Sequence, residues 1–187
     1  TTISSLSTTI TYDVVMVVDS DEIVVVDPDA DPHDLGAYLD RVDEPWVSAR
    51  GWELVHDPSS EAPIDLSRPV LEQRGTWFAN PLFAKPVITT SPTPWGVGRH
   101  RVTAGASHLD PDLHLVHLHR MDIESCWQRR VTRRRLGSSD TDVAKGRSAH
   151  TRIDDRDAFE RWFSGDSGMA EIPVVLEPIP PRFRTLF

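Results

Sequence analysis

Apolar residues fall along this chain in short runs bounded by acids and prolines. Val14-Val15-Met16-Val17-Val18 and Ile23-Val24-Val25-Val26 are β-rich and too short for helices, so residues 13–18 and 22–26 are predicted to be buried strands. Between them stands Asp19-Ser20-Asp21-Glu22, three carboxylates at the end of a strand. Pro28 and Pro32 break the chain, and residues 34–42 then place Leu35, Tyr38, Leu39 and Val42 on one helical face. Residues 46–56 alternate roughly and predict a strand. Residues 57–69, with three prolines, predict a loop. Further strands are expected at 85–89 and at 113–119, the latter with His114 on one face and His117 and His119 on the other. Asp122 opens a helix to about Arg135, with acids at its start and arginines at its end, the order a helix dipole favours. Residues 137–150 predict a mobile loop, 154–163 a last helix anchored by Phe159, Trp162 and Phe163, and Pro173 to Pro181 a proline-rich tail. The mixture predicts an α/β fold, a mixed sheet flanked by helices in one domain over residues 1–187.

Charge narrows the function classes. The net charge of −9 is unevenly shared: residues 1–74 hold 16 acidic and 4 basic residues, residues 75–187 hold 13 and 16. An acidic front half argues against nucleic acid as a partner, which needs a basic face. No apolar stretch approaches the roughly 20 residues that span a bilayer, so no transmembrane segment is expected. The start lacks a signal-peptide layout and an initiator Met, so the first residue reads as a cut end. A single cysteine, Cys126, excludes an intrachain disulfide and fits a reducing, cytoplasmic setting.

The acidic turn is the strongest chemical signal. Asp19 and Asp21 are two apart and can face one ion, and Mg²⁺ or Mn²⁺ takes oxygen ligands while keeping positions open for phosphate. An Asp-rich turn with no ligand is the plainer alternative. His117, and less so His119, is a candidate third ligand. His100 lies beside Gly96 and Gly98, where backbone can approach a ligand closely, and Trp95 offers a ring to a sugar or base, or simply a packed core residue. The arginines from 129 to 135 read mainly as the wet face of a helix, with phosphate binding the less favoured option. Cys126 lies among helix residues with no adjacent Cys, so catalysis by it is not expected. No phosphate-binding loop, dinucleotide fingerprint or nucleophile elbow is present.

Five ordered stretches together carry a resemblance: residues 12–22 (Tyr12 to Glu22), 65–74, 85–88, 95–100 and 115–122. They resemble the family 2-like glycosyltransferases of bacteria, which have the Rossmann-like GT-A fold, over about residues 12–135. The resemblance implies transfer of a sugar from a nucleotide-diphosphate sugar donor to a glycan or other hydroxyl acceptor, of the inverting type. It implies Mn²⁺ or Mg²⁺ on Asp19 and Asp21, with His117 as a further ligand. Trp95 and His100 would lie near the donor diphosphate or the acceptor. No general base is assigned, Glu22 and Glu53 being the candidates. A GT-A domain places a nucleotide-binding half before its Asp-x-Asp, and here that motif comes almost at once. The expectation is therefore a partial GT-A domain, the C-terminal part of a transferase. The alternative is a non-catalytic remnant that binds a partner or carbohydrate; a phosphoryl-transfer enzyme would need a second acidic cluster.

Overall fold

The computed structural model describes residues 12–96, 99–136, 153–165 and 174–186. Seven strands form one sheet: β1 (Val15–Met16), β2 (Glu22–Val26), β3 (Trp46–Val55), β4 (Thr76–Ala79), β5 (Pro86–Thr89), β6 (His108–Arg120) and β7 (Glu177–Pro178). Among the described residues three helices accompany them: α1 (Leu35–Leu39), α2 (Ile123–Leu136) and α3 (Arg156–Ser164).

The ten-residue β3 is the hub. It pairs in parallel with β6 on one edge and antiparallel with β5 and then β4 on the other. Gly51 marks the change of partner. There the chain between β4 and β5 leaves the sheet in a 3-10 turn, and a Cβ on Gly51 would stand 2.6 Å from the Phe83 carbonyl carbon. Only glycine lets the two backbones approach this closely.

β1 pairs with β5 and β2 with β6, all antiparallel. The outer strands of the series β1-β5-β3-β6-β2 are therefore consecutive in sequence, and the sheet curls until one short turn joins its two edges. Val17 N donates to Val87 O (2.8 Å) at one side of that turn, and Leu118 N donates to Asp21 O (2.8 Å) at the other. The acidic turn thus bridges β5 to β6.

Burial explains the second apolar run but not the first: the expected buried strand at 13–18 contracts to the two residues of β1, with Val17 buried and Met16 and Val18 exposed. On β2, Val24 and Val26 join Val47, Ala49, Val87, Leu113 and Leu115, while Val25 faces Leu54, Trp77, Val116 and Phe183. A strand buried on both faces is apolar throughout rather than alternating. α1 covers the first cluster with Leu35, Tyr38 and Leu39. Cys126, Phe159, Trp162 and Phe163 of α2 and α3 pack with Val55 and Phe78 in a third cluster. The Asp122 carboxylate accepts from Ser125 N (2.8 Å) at the start of α2, and α3 runs from an Asp155 cap to Gly165 at φ 89°.

The α/β class holds, with a mixed sheet and few helices. Among the described residues β3 and β6 are the one parallel pair, and the chain between them runs through β4 and β5 rather than a crossover helix. The predicted 34–42 helix contracts to five residues. β6 begins five residues before its predicted start, because its first half carries Asp110, Pro111 and Asp112 instead of an apolar run. β4 was not expected, and its four residues are too few to show a period. The 137–150 segment lies outside the described residues. No helix among those described is long and apolar enough to cross a membrane.

Candidate metal centre at the acidic turn

The curl of the sheet determines which side chains meet. In the ladder, Glu22 of β2 and Glu53 of β3 are both register partners of His117 on β6. Register partners project to the same face, so Glu22, His117 and Glu53 form a row across three strands. His119, two residues on, shares that face, and the two imidazoles stack at 5.4 Å. The turn from Asp19 to Asp21 closes over this row.

Asp21, His117 and His119 each offer a ligand atom, all within 4.8 Å of one another. Asp21 Oδ2 lies 3.6 Å from His117 Nε2 and 3.9 Å from His119 Nδ1. Atoms bound to one ion at about 2.1 Å are at most about 4.2 Å apart, so both pairs already fit and small closure completes the set. The same Asp21 oxygen accepts from Arg129 Nη1 at 3.0 Å, and Arg129 Nη2 also donates to His119 O at 3.0 Å. The contacts from both histidines and Arg129 hold the Asp21 carboxyl well below the usual range, against its burial.

Burial disfavours charge on His117, but the facing carboxylates of Asp21 and Glu53 outweigh it and raise its pKa to about 9. His119 goes the other way, burial dominating over Asp21. Glu53, 4% exposed, has Arg120 Nε at 3.4 Å, His117 Nδ1 at 3.6 Å and the Asn80 amide donating at 3.2 Å. Its burial opposes ionisation, yet these partners keep its pKa low.

Asp19 takes a different place from its neighbour. Lys85 Nζ donates to it at 2.9 Å and Arg99 also pairs with it, so it belongs to an ion-pair cluster beside the three ligand residues rather than to the set itself. Those cations hold its pKa down despite desolvation. Lys85 also pairs with Glu22 at 2.7 Å, and Glu22 Oε2 accepts from Asp19 N at 2.7 Å. Glu22 and Glu53, the two base candidates, are both buried in ion pairs. Arg99, a non-glycine residue at φ 59°, sits in the left-handed region.

Of the other expected residues, His100 is exposed and set one ring away: its imidazole is 6.5 Å from Phe83, whose ring lies 4.2 Å from His117. Trp95 bridges Val102, with its indole nitrogen buried and unbonded among the described residues. His114 lies on the opposite face, as expected, accepting from Trp52 Nε1 at 2.8 Å. Lys85, Arg99, Arg120 and Arg129 were not singled out individually. Lys85, Arg99 and Arg120 had a signal, lying inside the stretches that carry the family resemblance, and Arg129 stood in the arginine run weighed for phosphate. Comparison with family models, curated proteins and solved structures finds no match.

Proposed function

We propose that this chain is the metal-binding part of a nucleotide-sugar glycosyltransferase with a partial GT-A fold. The observation that supports this most is convergence. Asp21, Lys85, Arg99, His117 and His119 come from four of the stretches that carry the resemblance and collect around one turn. The remaining stretch buttresses the same strand, since Arg74 Nε donates to Met121 O at 2.6 Å just after β6.

The donor set fits a divalent cation, and two imidazoles with one carboxylate suit Mn²⁺ better than Mg²⁺, which prefers oxygen throughout. A bound ion of this kind supplies Lewis-acid stabilisation to a departing diphosphate. Asp21, His117 and His119 hold it. Glu53 faces the other nitrogen of His117 and orients the ring, with Arg120 and Asn80 fixing Glu53 in turn. His117 gives up its proton at Nε2 when that nitrogen becomes a ligand. Lys85 and Arg99 hold the turn through Asp19.

A second reading, a non-catalytic remnant, draws on one specific feature. The carboxylates of the turn are already met by Lys85, Arg99 and Arg129. Titration with Mn²⁺ separates the two. The metal reading expects one site per chain, weakened at least about tenfold by Asp21→Asn, His117→Ala or His119→Ala, the scale on which even outer-shell partners act. Folded variants that take up Mn²⁺ as the parent does would remove these residues from any metal site.

A further inference from the structure

On α2 the positions 126, 129, 130 and 133 form one face, spaced as the apolar stripe of a packed helix would be. They read Cys126, Arg129, Arg130 and Arg133. Only Arg133 at its end is exposed; Cys126 and Arg130 are buried and Arg129 half-buried, and together with His119 the four line a cleft of about 10 Å³, room for a single water-sized atom. Arg130 is 4% exposed, and its Nε and Nη1 find no hydrogen-bond acceptor among the described residues.

No described carboxylate forms an ion pair with Arg130. Its neighbours are the aromatic faces of Phe159 (4.8 Å) and Trp162 (4.4 Å), the Cys126 thiol, and Arg120 beyond Trp162. Arg120 repels it and already has Glu53 as a partner. Burial pulls the Arg130 pKa down to about 10, with Cys126 opposing, and the group remains cationic at neutral pH. Aromatic faces offset part of the cost of a buried charge but accept no N–H. Arg129 connects the cleft to the acidic turn through its bond to Asp21.

We propose that this cleft is an oxyanion site, in which Arg130, with Arg129 and Arg133, takes a terminal oxygen of a phosphate group. A fork of guanidinium donors matches a phosphate oxygen, and a cleft of this size admits one such oxygen but not a sugar ring. That the phosphate belongs to a diphosphate rests on the glycosyltransferase reading; the oxyanion site itself does not.

The test is calorimetric titration of the full chain in EDTA with inorganic pyrophosphate and with inorganic phosphate. Saturable pyrophosphate binding is expected, weakened about tenfold or more by Arg133→Ala and by Arg130→Met, the loss of one charge-assisted bond. Arg135→Ala, which removes an equal charge from the same helix outside the cleft, is expected to bind as the parent does. Arg133 is exposed, so its variant decides the matter if Arg130→Met does not fold. Pyrophosphate binding more tightly than phosphate would mark a diphosphate ligand, and equal affinity a free phosphate. The proposal is overturned if the parent binds neither anion, or if Arg133→Ala matches the parent. Working without divalent ions separates it from the metal site: pyrophosphate binding in a chain that ignores Mn²⁺ leaves the cleft standing and the metal reading refuted.

Discussion

Replacing Lys85 by Met tests whether the acidic turn is held by charge. Lys85 is 3% exposed and its Nζ lies 2.7 Å from Glu22 Oε1 and 2.9 Å from Asp19 Oδ2. At 2.7 Å, attraction is on the order of 6 kcal/mol gross with an effective dielectric of about 20. Desolvation of Lys85 and of the Glu22 side chain, 2% exposed, cancels much of it. Asp19, 41% exposed on its side chain and also held by Arg99, adds little. The dominant loss is an uncompensated Glu22 carboxylate, so Lys85→Met should cost ~3–5 kcal/mol in urea unfolding at pH 7. Glu22→Gln with Lys85→Met should recover part of that, leaving a coupling energy of ~1–3 kcal/mol in the double-mutant cycle. A cost below ~1 kcal/mol for the single variant, or strict additivity, would refute the buried-pair account.

Three other outcomes follow from the geometry. Gly51→Ala should destabilise the fold by at least ~2 kcal/mol in chemical unfolding, since its Cβ would meet backbone at Asn80 and Phe83; an unchanged midpoint would contradict the close approach. In EDTA, stability from charged His117 should be fully present below pH 6.5 and fall as pH rises through about 9. The loss is at most ~3 kcal/mol, with the linked Asp21 shift not counted again, and a profile that His117→Gln leaves unaltered would exclude it. Phe159→Ala, at the centre of the aromatic cluster under α2, should cost ~3–5 kcal/mol, and a cost under ~1 would mean that α3 does not anchor α2.

Much of the frame was legible because burial leaves a mark on composition. β2 and β3 are found within a residue of their predicted bounds, since β2 is buried on both faces and β3 is apolar where it packs. The shared face of His117 and His119 follows from a period of two. What the sequence did not convey was closure of the sheet. Nothing local links Lys85 or Arg129 to the turn, because those contacts exist only once β5 and β6 have been brought to opposite ends of it. Closure also separates Asp19 from Asp21: the first faces the β5 side and its lysine, the second the histidines of β6. The arginines of α2 were expected as a wet face, which holds for Arg133, Arg134 and Arg135 but not for the buried Arg130. A spacing of three and four residues was the available clue, but helical spacing alone does not say which side is covered.

The central claim is best tested by calorimetric titration of the chain with UDP, GDP and dTDP, each with and without Mn²⁺. The account predicts that Mn²⁺ strengthens binding of the nucleoside diphosphate and that Asp21→Asn removes this dependence on the ion. Failure of the parent to bind Mn²⁺, or nucleotide binding of equal strength without the ion, would contradict it.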